Sequence, residues 1–288
     1  MCDSDNHQGF IADTSVTRRS VVLTMSSAAA VAGLPTAALA ANVIETEVMV
    51  PTPDGKADAV LFHPAGAGSW PAVLMWPDIL GLRPVFREMG HRLAASGYTV
   101  LVPNPFYRTR RAPIVTGPFD FNDKAAMAKL MSLKETLTDA RVDSDATAFI
   151  AFLDKQKQTN RRKGAGVQGY CFSGPLAFRT AAVRSDRIRA VATFHGGGLV
   201  TKEPNSPHLL IPKTKASFVV AIARNDDQKQ PDAKDVLKAA FAAARRPATV
   251  EVYPADHGWC VAGSPPYDPV SAERAWAELL RLYRSNLV

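Results

Sequence analysis

The chain has 288 residues, 47% of them hydrophobic and 8% aromatic, which is apolar material for one large folded core and excludes a disordered or fibrous polymer. Its formal charge is +7, but the basic residues stand as singles and short runs such as Arg161-Arg162-Lys163 and Arg245-Arg246. No basic stripe interleaved with aromatics occurs, so nucleic acid is excluded as the expected partner, and three cysteines are too few for a disulfide framework.

At the N-terminus, Thr17-Arg18-Arg19-Ser20-Val21-Val22-Leu23 runs into a weakly apolar stretch rich in Ala and Ser, which closes on Ala38-Leu39-Ala40 before Ala41. That is the layout of an export signal with a small-x-small cleavage site, and the paired arginines point to the twin-arginine route. Residues 1–40 are read as a signal peptide, residues 41–288 as a single domain, and the mature protein as periplasmic. Val21 stands where the twin-arginine pattern prefers Phe, which leaves the general secretory route open. The stretch is too short and too polar for a stable membrane span. Cleavage removes Cys2 and leaves Cys171 and Cys260.

From Val43 to Val50 the residues alternate, Pro53-Asp54-Gly55 turns the chain, and Ala57 to His63 returns it as a hairpin. Strand-length apolar runs then alternate with helical periodicity. The strands are predicted at Ala72 to Trp76, Tyr98 to Val102, Gly166 to Tyr170, Ala190 to Phe194, Ser217 to Ala223 and Thr249 to Tyr253. The helices are predicted at Pro84 to Ser96, between Lys124 and Lys157, at Pro175 to Val183, Asp232 to Ala244 and Ser271 to Arg284. Tyr107 to Asp123 is a long loop, read as a lid or a surface segment. This alternation predicts an α/β domain, a mostly parallel sheet with helices on both faces, whose loops collect along one edge as the place for a site.

The most informative stretch is Gly166-Val167-Gln168-Gly169-Tyr170-Cys171-Phe172-Ser173-Gly174, an apolar strand running straight into a helix. A nucleophile on such a tight turn needs small residues two before and two after it, because the strained backbone brings neighbouring main chain close. Gly169 and Ser173 meet that demand around Cys171. Centring the turn on Ser173 instead would put Pro175 at one of those positions, so cysteine is the predicted nucleophile of an α/β-hydrolase. The helix that follows offers its N-terminal field to a thiolate.

The triad order on that fold is nucleophile, acid, base. His257, in Ala255-Asp256-His257-Gly258, follows the last strand and is the predicted base, with His195 before Gly196-Gly197-Gly198 as its rival. Asp226 in Asn225-Asp226-Asp227 is the predicted acid, with Asp227 second. The Phe172 amide supplies one oxyanion donor, and the loop after Ala72 to Trp76 should supply the other.

These segments resemble the dienelactone hydrolases, cysteine-dependent α/β-hydrolases, across nearly the whole mature chain. Gly169-Tyr170-Cys171-Phe172-Ser173-Gly174 is similar to the family's nucleophile turn, and Asp256-His257-Gly258 with Ser264-Pro265-Pro266-Tyr267-Asp268 to its histidine loop. The resemblance implies that Asp78, in Pro77-Asp78-Ile79-Leu80-Gly81, lies near Cys171 as an auxiliary acid where the best-known family enzyme carries Glu. It also implies that the Ile79 amide completes the oxyanion hole and that Arg108 binds a substrate carboxylate. Val261 replaces the family's second arginine.

The expected activity is hydrolysis of a small carboxylic ester or lactone through a Cys171 acyl-enzyme, with no metal and no cofactor. The alternative is a non-catalytic binding protein on the same scaffold. Two further arrangements stay open at this point, a zinc site from His257, Cys260 and Cys171, and a Cys171–Cys260 disulfide.

Overall fold

The computed structural model describes residues 42–287, so the predicted signal peptide lies outside the described residues. Its centre is an eight-stranded sheet in the order β1-β2-β4-β3-β5-β6-β7-β8. Strands β1 (Val43–Thr52) and β2 (Gly55–Pro64) form the expected hairpin, turned at Gly55 with a positive φ of 136°. β2 pairs antiparallel with β4 (Thr99–Pro103), and every later pairing is parallel: β3 (Ala72–Trp76), β5 (Ala165–Tyr170), β6 (Ile188–Phe194), β7 (Ser217–Ala223) and β8 (Ala248–Tyr253).

The period-2 alternation of side chains divides each strand between two cores. In β3, Leu74 and Trp76 point into one, with Phe149 and Leu153 of α3 (Asp139–Asp154), Phe178 of α4 (Gly174–Val183) and Phe241 of α6 (Ala233–Ala243). Val73 and Met75 point into the other, with Phe86 and Leu93 of α1 (Pro84–Ala95) and Leu279 and Tyr283 of α7 (Pro269–Asn286). Each such fully buried side chain contributes about 2 kcal/mol of transfer free energy. Helices therefore cover both faces, as an α/β-hydrolase fold requires.

Two helices flank the site loops. α2 (Lys124–Glu135) follows the long loop after β4 and is capped by Asp123, which accepts from the Ala125 and Ala126 amides. α5 (Arg224–Lys229) occupies the Asn225-Asp226-Asp227 stretch, where no helix is predicted from the sequence. Among the described residues no helix is long and apolar enough to cross a membrane.

Candidate active site

Because β3 and β5 to β8 run parallel, their C-terminal ends deliver Asp78, Cys171, His195, Asp226 and His257 to one edge of the sheet. Cys171 follows β5 directly with φ at +58°, a left-handed conformation that a non-glycine residue holds only under constraint. The constraint is visible in its neighbours. A Cβ on Gly169 would lie 2.2 Å from the Ser173 carbonyl oxygen, so only glycine fits there. The Ser173 hydroxyl accepts the Tyr170 N–H at 2.8 Å and lies 3.0 Å from the Trp76 carbonyl oxygen, pinning the turn to β3. Gly174 packs so closely on β6 that a Cβ would sit 2.4 Å from Thr193 Oγ1.

His257 enters from the loop after β8. Its amide donates to Asn225 Oδ1 at 2.9 Å, and the Arg224 amide donates to Ala255 O at 2.9 Å, so the acid and histidine loops are stitched together. His257 Nδ1 lies 2.6 Å from Asp226 Oδ2, while Asp227 turns to Lys234 Nζ at 2.8 Å. With Nδ1 held by Asp226, Nε2 is the free ring nitrogen. Ligating atoms of Cys171, His195 and His257 all lie within 4.8 Å of one another. Burial disfavours the charged ring, but the Asp226 carboxylate and the Cys171 sulfur outweigh it and push the His257 pKa up to about 10.

His195 also reaches this cluster. It ends β6 with φ at +42°, its ring is 4.7 Å from that of His257, and burial with the nearby His257 holds its pKa well below the usual histidine range. Both of its ring nitrogens are buried without a hydrogen-bond partner. Sequence reasoning named His195 only as a rival base and did not foresee two histidines beside one thiol. The available signal was its position at a strand end before three glycines.

Two residues behave differently from expectation. The Arg108 guanidinium binds Asp145 through Nη1 and Nη2 at 2.7 and 2.8 Å and Asp54 through Nε at 2.7 Å, and it does not line the site cavity. Its charge is matched by two carboxylates and it stands outside the cavity, so in this structure it is a partner of Asp145 and Asp54. Asp78 does line the cavity, but its carboxylate takes a bidentate pair from Arg83 at 2.5 and 2.8 Å, and among the described residues it makes no hydrogen bond to Cys171. Arg83 sits one residue before α1, close enough along the chain to capture the short aspartate side chain. Cys260 is a free thiol in a separate, smaller pocket with Tyr170, Phe194 and Trp276, so neither the disulfide nor a zinc site containing Cys260 is formed.

The cavity itself is about 1040 Å³. Ile79, Phe172, Cys171, His195 and His257 line its floor, and Phe119, Phe121, Met127, Met131 and Leu137 from the long loop, α2 and its following turn supply apolar wall. Val261 also lines the wall. The arrangement offers a sulfur nucleophile, an imidazole and carboxylate able to move its proton, and a largely apolar space for a substrate.

A model of the dienelactone hydrolase family matches residues 57–287. The chain belongs to the dienelactone hydrolase family. A protein of Methylorubrum extorquens, provisionally named a carboxymethylenebutenolidase, is 29% identical over 287 residues, 95% of this chain and 94% of its own. The carboxymethylenebutenolidase of Rhodococcus opacus is 25% identical over 240 residues, 82% of this chain and 89% of its own. A crystal structure from Klebsiella pneumoniae, provisionally described as a dienelactone hydrolase, superposes with a TM-score of 0.73 at 22% identity, covering 84% of this chain and 99% of that one. Membership makes the protein a hydrolase.

Proposed function

We propose that the protein hydrolyses carboxylic esters or lactones through a thioester on Cys171. The observation that carries this reading is the strained Cys171 turn facing a large cavity, with the His257–Asp226 couple within reach of its sulfur. The Cys171 thiol gives its proton to His257, its sulfur attacks the carbonyl carbon, and the oxyanion is received by the Ile79 and Phe172 amides. The Ile79 amide has no protein hydrogen-bond partner among the described residues, which suits that task. The tetrahedral intermediate expels the alkoxide, which takes a proton from His257, leaving a thioester. Water then gives its proton to His257 and attacks the same carbon, and collapse releases the acid and the thiol. Asp226 orients the ring and stabilises its charged form.

An ester suits this machinery better than an amide because an alkoxide needs less help to leave. Carboxymethylenebutenolidase activity, named for the relatives, fits a lactone as one substrate class. Cys171→Ala should abolish turnover of activated esters and lactones while leaving the melting temperature close to that of the parent. Retained turnover would remove the thiol from the mechanism. The leader read from residues 1–40 supports export of this chemistry to the periplasm. N-terminal sequencing of the exported protein should begin near Ala41, and an uncut cytoplasmic chain would contradict export.

A further inference from the structure

Hydrolysis by the proposed route uses Cys171, His257 and Asp226 and assigns no task to His195. Yet His195 is only 1% exposed, and burying two ring nitrogens without partners costs free energy that a fold ordinarily avoids. Its ring forms part of the cavity floor, beside the sulfur and the free nitrogen of His257.

We propose that Cys171 Sγ, one ring nitrogen of His195 and His257 Nε2 form a three-donor site for a single divalent cation of the zinc class, whose binding closes the thiol to electrophiles. A set of one thiolate and two imidazoles is the soft and borderline donor chemistry that such ions select over calcium or magnesium. Tetrahedral bonding at about 2.3 Å to sulfur and about 2.0 Å to nitrogen brings donors to roughly 3.5 Å of each other. The present limit of 4.8 Å is within a side-chain adjustment of that spacing. The outer shell is also in place. His257 presents its other nitrogen to Asp226 at 2.6 Å, the carboxylate–histidine arrangement that orients a metal-binding ring and raises its basicity. The fourth position would face the cavity, where water can fill it.

Binding displaces the proton that Cys171 Sγ and His257 Nε2 hold between them and releases it to solvent, with no change of oxidation state. The sulfur lone pair that would attack a carbonyl is then committed to the metal, so metal occupancy and thiol reactivity exclude one another. This site replaces the Cys260-containing alternative raised by the sequence, since His195, not Cys260, is the third donor near Cys171.

The experiment uses the full mature chain, reduced and freed of metal with a chelator. One equivalent of Co²⁺ should give a thiolate-to-cobalt absorption and the intense visible bands of a tetrahedral ion. One equivalent of Zn²⁺ should slow alkylation of Cys171 by iodoacetamide by about tenfold or more. His195→Gln should weaken that protection by about tenfold or more, whereas Cys260→Ser should keep it. X-ray absorption of the zinc-loaded parent protein should count one sulfur and two imidazole nitrogens, a readout that needs no variant to fold. Unchanged alkylation in the presence of Zn²⁺, a sulfur-free zinc shell, or full protection in a folded His195→Gln would each overturn the proposal. None of these readouts depends on turnover, so a protein that binds zinc here but cleaves no ester would refute the hydrolytic reading and leave this one standing.

Discussion

Cys171 and Ser173 lie two residues apart on the same turn, and steric reasoning alone separated their roles. The structure adds the physical detail: the Ser173 hydroxyl is occupied by Tyr170 and the Trp76 carbonyl, while the Cys171 side chain faces the cavity. Asp226 and Asp227 were not separable by the same means, because which of two adjacent carboxylates meets a distant ring depends on the α5 backbone. His257 carries a consequence for stability. Its folded pKa of about 10 lies above its ordinary value of 6.5, so the protonated ring is favoured by folding. That contribution is complete below about pH 6.5 and is lost as pH rises through about 10. The melting-temperature gap between the parent and His257→Gln should therefore be widest on the acid side and shrink toward pH 10. A gap that widens with rising pH would contradict the assignment of the charged pair.

At the scale of elements, the nucleophile turn and the loop after β4 make opposite lessons. The β5–α4 junction was legible because its demands are local: glycine at 169, a small residue at 173, and an apolar strand leading straight into a helix. Gly169→Ala should lose about 1–3 kcal/mol of stability, through overpacking against the Ser173 carbonyl, and most of the thiol's reactivity toward iodoacetamide. Normal alkylation of a normally stable variant would show that the turn is looser than its geometry indicates. The loop after β4 was not legible, because Arg108 and its partner Asp145 on α3 are far apart in sequence and no local pattern reports their pairing. Asp145 is 1% exposed, so Arg108→Met leaves a buried carboxylate without its cation and should cost about 3 kcal/mol or more in denaturant melts. The same variant should keep its KM for an ester bearing a free carboxylate within about twofold, which a carboxylate clamp would not allow. α5 escaped detection for another reason: six polar residues carry no apolar period from which to read a helix.

For the molecule as a whole, the alternating strand and helix pattern was enough to place the sheet, its two covered faces and the edge that collects the site. Volume and charge inside the cavity needed coordinates. Neither arginine position implied by the family resemblance supplies a free cation, since Arg108 is paired and Val261 is apolar, and the cavity-lining Arg83 and Arg179 are matched with Asp78, Asp139 and Asp143. Bringing a substrate carboxylate into this space therefore costs desolvation with little return. Neutral lactones and esters with apolar acyl groups should be turned over at least about tenfold more efficiently, in kcat/KM, than the same compounds bearing a free carboxylate. Preference for the anionic compounds would point to Lys134, which lines the cavity.

The sulfur and its imidazole reach the sheet edge on different strands, one from the middle of the polypeptide and one from the loop before its final helix. During synthesis a ribosome-bound intermediate ending before β8 would hold an ordinary cysteine, unable to form adducts at speed. The couple of sulfur and imidazole is complete only after the last strand and its loop have docked.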